Sequence, residues 1–191
     1  MASDRRQVLA EGATDYVLEH GLLDLSLRPL AKALGTSDRM LLYHFRDKPD
    51  LVATVLRVSN DRSVSAIRAM TPSAGPRAAV LDLWAVVSAA EQARCQRLYV
   101  EAAALGVLGA EPYASIVAEA NQVWLKALAD HLAASGVPAE LAARAARLVE
   151  AAFMGLQLDE QVEPAVEIER SVHDLAEAVV ALWGSRASTS A

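Results

Sequence analysis

Two short amphipathic runs meet at a glycine in LAKALGTSDRMLLYHFRDK, residues 30–48, and this meeting constrains the fold more than any other part of the chain. Leu27, Leu30, Ala31 and Leu34 share one side of a helix of about two turns. Gly35 ends that helix, because the tight turn calls for a residue that accepts a left-handed conformation. Thr36 or Ser37 caps a second short helix, roughly Asp38 to Phe45, with Leu41 and Phe45 one turn apart on its inner face. Two short helices that cross steeply need a small residue where they meet, and Ala31 supplies it. The outer side of the second helix is left with Arg39, Tyr43 and His44, followed by Arg46 and Lys48.

The rest of the chain points to an all-α fold. Among 191 residues, 39 are alanine and only two are phenylalanine. Alanine is the best helix former, and aromatic residues that favour strands are scarce. Leu9, Ala13, Tyr16, Val17 and His20 recur at helical spacing, so a first helix is expected from Asp4 to His20, stopped by Gly21. Ser26 is placed to cap the next. Asp47 and Pro49 open a fourth helix that runs to about Ala69. TPSAGP, residues 71–76, is the clearest linker. Further helices are expected near 77–90, 92–108, 112–134, 138–157 and 164–184. The chain therefore divides into an N-terminal three-helix domain at 1–50, a connecting helix at 51–71, a helical second domain at 72–185 and a disordered tail at 186–191.

The net charge of −6 argues against a polyanionic partner until its distribution is considered. Residues 1–70 carry 10 Lys/Arg against 9 Asp/Glu, whereas residues 71–191 carry 8 against 15. Only the N-terminal part can approach phosphate without repulsion. One cysteine, Cys95, excludes an internal disulfide framework and reads as a plain buried thiol. No segment reads as a signal peptide or a membrane span, so a cytoplasmic protein without a membrane partner is expected. There is no spaced pair of histidines for a metal, no glycine-rich phosphate loop and no nucleophile with an evident base. No metal, cofactor or enzymatic activity is expected, and His131 reads as a core or helix-end histidine. An all-helical enzyme, or an interaction module that does not bind DNA, is the alternative.

The residues of the helix-turn-helix suit duplex DNA. Arg39 can donate two hydrogen bonds to guanine in the major groove. Tyr43 and His44 can bond phosphate or pack on sugar and thymine methyl. Arg28 and Lys48 can pin the backbone on either side, and Ser37 with its helix N-terminus also suits phosphate. Arg5 and Arg6 either touch flanking phosphates or the minor groove, or belong to a solvated terminus.

GLLDLSLRPLAKALGTSDRMLLYHFRDKPDLV, residues 21–52, resembles the DNA-binding domain of the tetracycline-repressor (TetR) family of bacterial transcription regulators. The likeness lies in Gly21, the spacing of Ala31 and Gly35, Ser37, Tyr43-His44-Phe45, Lys48 and Leu51. It implies DNA contacts by Arg28, Ser37, Arg39, Tyr43, His44 and Lys48, and a palindromic operator. Leu42 departs from the family pattern, which usually has a tyrosine there, so a hydroxyl donor to phosphate is lost. Asp38 is unusual so near DNA, and Thr36 stands where an apolar residue is common.

The resemblance also implies a second domain that binds a small inducer, making the chain a repressor released by a lipophilic ligand. Trp84, Val87, Arg94, Tyr99, Tyr113, Trp124, Phe153, Met154 and Gln157 are the candidate lining residues, each with a duller reading as core or surface. In the last helix Ala165, Ile168, Val172, Leu175, Val179 and Leu182 are spaced 3, 4, 3, 4, 3, a heptad seam. Leu141, Ala145, Leu148, Ala152 and Leu156 nearly repeat it. This seam fits either packing within one subunit or a homodimeric four-helix bundle, and the resemblance favours the dimer. Its recognition helices would then sit about 34 Å apart, one turn of DNA.

Overall fold

The computed structural model describes residues 2–160 and 162–187. Among them every regular element is an α-helix: α1 (Ala2–His20), α2 (Leu27–Ala33), α3 (Asp38–His44), α4 (Lys48–Arg68), α5 (Pro76–Val87), α6 (Ala90–Val107), α7 (Tyr113–Ala134), α8 (Ala139–Asp159) and α9 (Ala165–Ala187). The all-α expectation holds, with helix bounds within a few residues of those read from periodicity. At the C-terminus α9 continues through 186–187, where a tail was expected to begin, and 188–191 lie outside the described residues.

The chain packs as two compact units. The first takes the chain up to Ser63 together with Arg94–Gln122, and the second takes Val64–Ala93 and the chain from Val123 onward. Packing thus groups most of α6 and the first half of α7 with the N-terminal helices, on the far side of the 71–76 linker in sequence.

In the first unit the apolar faces of the short helices close on α1. Leu9, Ala13, Val17, Leu30, Leu41, Phe45, Leu51 and Val55 form one core with Leu98 and Ala102 of α6 and Ile116 of α7. Gly35 stands in the turn at φ +62°, the left-handed region that its lack of a Cβ makes accessible. Ser37 is the cap of α3, its Oγ accepting from the Met40 amide at 3.2 Å. Asp47 starts α4 in the same way, accepting from the Asp50 amide at 2.8 Å. Ser26 occupies the N-cap position of α2, but its side chain makes no capping bond, contrary to the expectation from residue type.

In the second unit α9 lies along α5 and α8. Leu83, Leu128, Leu132, Val149, Phe153 and Ala176 are at its centre. The heptad seam expected to meet a second subunit is largely covered by the chain itself. Leu141, Ala145, Ile168, Val172 and Val179 are buried, and Ala152 and Leu175 are half-buried. Leu148, Ala165 and Leu182 stay exposed. Heptad spacing fixes which residues share a face but not what covers the face, and here α9 packs against α5 and α8 of its own chain.

The linker at 71–76 is tied to the end of α7. The Ser73 amide donates to Ser135 Oγ at 3.0 Å, and Ser73 Oγ lies 3.3 Å from His131 Nε2. His131 is buried, as a core histidine should be. Burial pushes its pKa down, and Asp82 only partly opposes this. The unfolded imidazole therefore takes up its proton at a higher pH than the folded one, so stability present at neutral pH is lost as the pH falls through the folded value. Urea unfolding from about pH 7 to about pH 5 should show stability declining, and His131→Asn should flatten that decline. Parallel profiles for the two proteins would assign the titration elsewhere.

Candidate nucleic-acid interface

A seven-residue helix buries one side and must show the other, and α3 does so sharply. Leu41 and Phe45, its C-cap, are fully buried, whereas Tyr43 is 77% exposed. Arg39, Met40 and Leu42 are exposed beside it. Asp38, Arg39, Leu42 and Tyr43 line a shallow open depression. His44 is half-buried, and its ring meets that of Tyr43 edge-on at 5.2 Å. Arg28 is exposed on α2. Ser37 accepts from Met40 and so keeps its hydroxyl proton for an outside acceptor. Lys48 is exposed but already donates from Nζ to the Leu25 carbonyl at 2.5 Å, which fixes the turn before α2.

Arg6, though exposed, is held against the end of α3 and the start of α4. Its Nε donates to the His44 carbonyl at 3.0 Å, and the guanidinium carbon lies 5.0 Å from the centre of the Phe45 ring. Asp50 pairs with it at 3.5 Å. It satisfies one of the orphan carbonyls at the C-terminus of α3, where the helix dipole also favours a cation.

Two residues that sequence reasoning missed lie on α6. Glu101 Oε2 accepts from the Leu22 and Leu23 amides at 2.5 and 3.2 Å. Arg97 donates to the Leu18 carbonyl at 2.8 Å, at the C-terminus of α1. The two side chains pair with each other at 3.8 Å. Together they bracket the corner between α1 and α2, holding carbonyls on one side and amides on the other. Gly21 makes room for this: its φ is +87°, and a Cβ there would lie 3.3 Å from a Glu101 oxygen. In sequence the pair reads as an ordinary solvated i,i+4 ion pair, because its targets lie 78 and 79 residues away. Glu101→Ala should leave the two amides short of a partner, speed their hydrogen exchange and cost about 1–3 kcal/mol of stability. Unchanged exchange at Leu22 and Leu23 would show that the bracket does not hold the corner.

The candidate ligand residues fall in both units. Arg94, Tyr99 and Tyr113 belong to the first, and Trp84, Trp124, Phe153, Met154 and Gln157 to the second. Arg94 is exposed, and burial pushes the Tyr113 phenol up. In the second unit Phe153 is buried against Trp84, with ring centres 5.1 Å apart. Gln157 donates to the Val87 carbonyl at 3.1 Å. The Trp124 indole donates to Glu150, a carboxylate missed in the sequence. Burial pushes Glu150 up, and the indole bond opposes this only in part. Among the described residues no group of three or more His, Cys, Asp or Glu could hold a metal ion, and no helix is long and apolar enough to cross a membrane.

No protein-family profile and no curated protein sequence matches the chain. Solved structures do. A transcriptional regulator from Rhodococcus sp. Rha1 superposes with a TM-score of 0.74 at 21% identity, over 92% of this chain and 95% of that one. A TetR-family regulator from Rhodococcus sp. gives 0.68 at 18% identity, over 94% and 98%. A transcriptional regulator from Saccharomonospora viridis, solved in complex with choline, gives 0.64 at 18% identity, over 92% and 95%. The chain therefore has the fold of the TetR-family regulators along nearly its whole length.

Proposed function

We propose that this chain is a sequence-specific DNA-binding transcriptional regulator, acting as a homodimer and released from a palindromic operator by a small molecule. The observation that carries the reading is the outward edge of α3, where Arg39, Leu42 and Tyr43 stand exposed over a buried Leu41 and Phe45. In this reading residues 1–50 read DNA, 51–71 connect, and 72–185 hold the effector and the dimer contact. Arg39 reads a base edge, Tyr43 and Leu42 pack on sugar or thymine methyl, and Arg28, Ser37, His44 and Lys48 position the backbone. The choline found in the Saccharomonospora viridis structure supports a small-molecule effector.

Release requires that the effector bind two arrangements of the dimer unequally. Helix α4 is one route from effector to operator. The α6 bracket on the α1–α2 corner is a second, since Arg97 and Glu101 bond directly to the backbone at the end of α1 and in the turn before α2.

With most of the expected seam already covered, the dimer contact falls on the outer side of α8. Arg144, Leu148, Ala151, Gly155 and Leu158 are all exposed there at heptad spacing, and Leu182 of α9 is exposed as well. Leu148→Asp should convert the dimer to monomer in analytical ultracentrifugation, and a dimer that survives it would move the contact elsewhere.

Selection of bound sites from random DNA should return a two-fold symmetric consensus. Arg39→Ala should weaken binding to that site by about 1–3 kcal/mol and relax preference at one base position. Equal weakening on all sequences would make Arg39 a phosphate contact, and no enrichment from the wild-type protein would end the DNA-binding reading.

A further inference from the structure

The outward edge of α3 carries a charge that a surface facing phosphate ordinarily avoids. Asp38, the first residue of the helix, is exposed and lines the same shallow depression as Arg39, Leu42 and Tyr43. Three aspartates stand around this helix, and two of them are engaged by the fold. Asp47 accepts from the Asp50 amide, and Asp50 accepts from the Arg46 amide and pairs with Arg6. The third is not. Ser37 already takes the Met40 amide, and among the described residues no ion pair or hydrogen bond engages the Asp38 side chain. Its carboxylate is therefore free to meet whatever the depression meets.

An ionised carboxylate only accepts hydrogen bonds. Beside a duplex it is repelled by phosphates and by every acceptor on the groove floor. In the major groove guanine shows N7 and O6, thymine shows O4, and adenine sets its N6 donor beside the N7 acceptor. Cytosine shows its N4 amino group with no acceptor next to it. We infer that Asp38 is a specificity-determining residue, which selects cytosine at one position in each half of the operator by accepting a hydrogen bond from that amino group. Arg39, the next residue, has the opposite need, since it donates and so seeks guanine. The charge-assisted bond to cytosine offsets the repulsion at one base, whereas the repulsion persists on other sequences. Asp38 thus lowers binding to random duplex more than binding to the operator, and a difference of this kind is what specificity consists of.

This inference rests on the proposed DNA-binding function and deepens it by naming a base and the residue that reads it. Its test is site selection from random DNA with the wild-type protein, Asp38→Asn and Asp38→Ala, followed by affinity measurements on the selected site with each base at the position concerned. Wild-type protein should favour cytosine there by about tenfold over the other three bases. Asparagine matches the N6 and N7 atoms of adenine, so Asp38→Asn should move the preference from cytosine to adenine. Asp38→Ala should erase the preference at that position, keep the one read by Arg39 and raise affinity for random duplex.

A carboxylate in the first turn also favours the helix dipole, and if that were its whole role both substitutions would weaken all sequences alike. Such uniform weakening, or identical base profiles for the three proteins, would overturn the role of Asp38 and leave the DNA-binding function standing. Absence of any enriched site with the wild-type protein would overturn the two together.

Discussion

Leu41 and Phe45 sit at zero exposure, and from their burial follows the direction of every other side chain on α3. A helix of seven residues is too short to persist alone in water, so its stability comes from packing. Truncating either anchor to alanine would cost about 2–5 kcal/mol in a well-packed site. The two ends of the helix are finished separately. Ser37 occupies an amide at one end, and Arg6 occupies the His44 carbonyl at the other. With the underside sunk and both termini bonded, Arg39 and Tyr43 project from a rigid base, and pre-set geometry of this kind reduces what binding must spend on ordering.

The bracket from α6 joins the part of the chain expected to sense with the part expected to read. Backbone hydrogen bonds to Leu22, Leu23 and Leu18 leave a shift of α6 few ways to occur without moving the α1–α2 corner. Close-packed elements pass displacements on in discrete steps, since side chains cannot deform freely. The compact unit that holds the helix-turn-helix also contains Arg94–Gln122, so this connection lies inside one packed body.

How much of this could be read in the sequence depended on the range over which each signal acts. Gly35, Ser37, Leu41 and Phe45 lie within about eleven residues, and local rules of turn, cap and period place them all. The heptad spacing of α9 was equally legible, but Val172 and Val179 turned out to be covered from within the chain, because periodicity carries no information on the neighbour. Glu101 and Arg97 gave no sign of their targets, which are brought near only by the tertiary fold. Glu150 carried no local signal, because its partner Trp124 reaches it from α7 only in the folded chain. Arg6 was read as a DNA-facing or solvated terminus, yet the end of α3 claims it.

Commitment of Arg6 and Lys48 to internal carbonyls has a bearing on how such a molecule would behave among long stretches of irrelevant duplex. Each cation that neutralises a phosphate frees condensed counterions, and that release is the main source of sequence-blind adhesion. A chain that bonds Arg6 and Lys48 to its own carbonyls, though both stay exposed, and carries an acidic second half would have less of this adhesion to offer. On the proposed reading its residence on random sequence would be correspondingly brief, and the fit of a few side chains to the floor of the groove would hold it at one address.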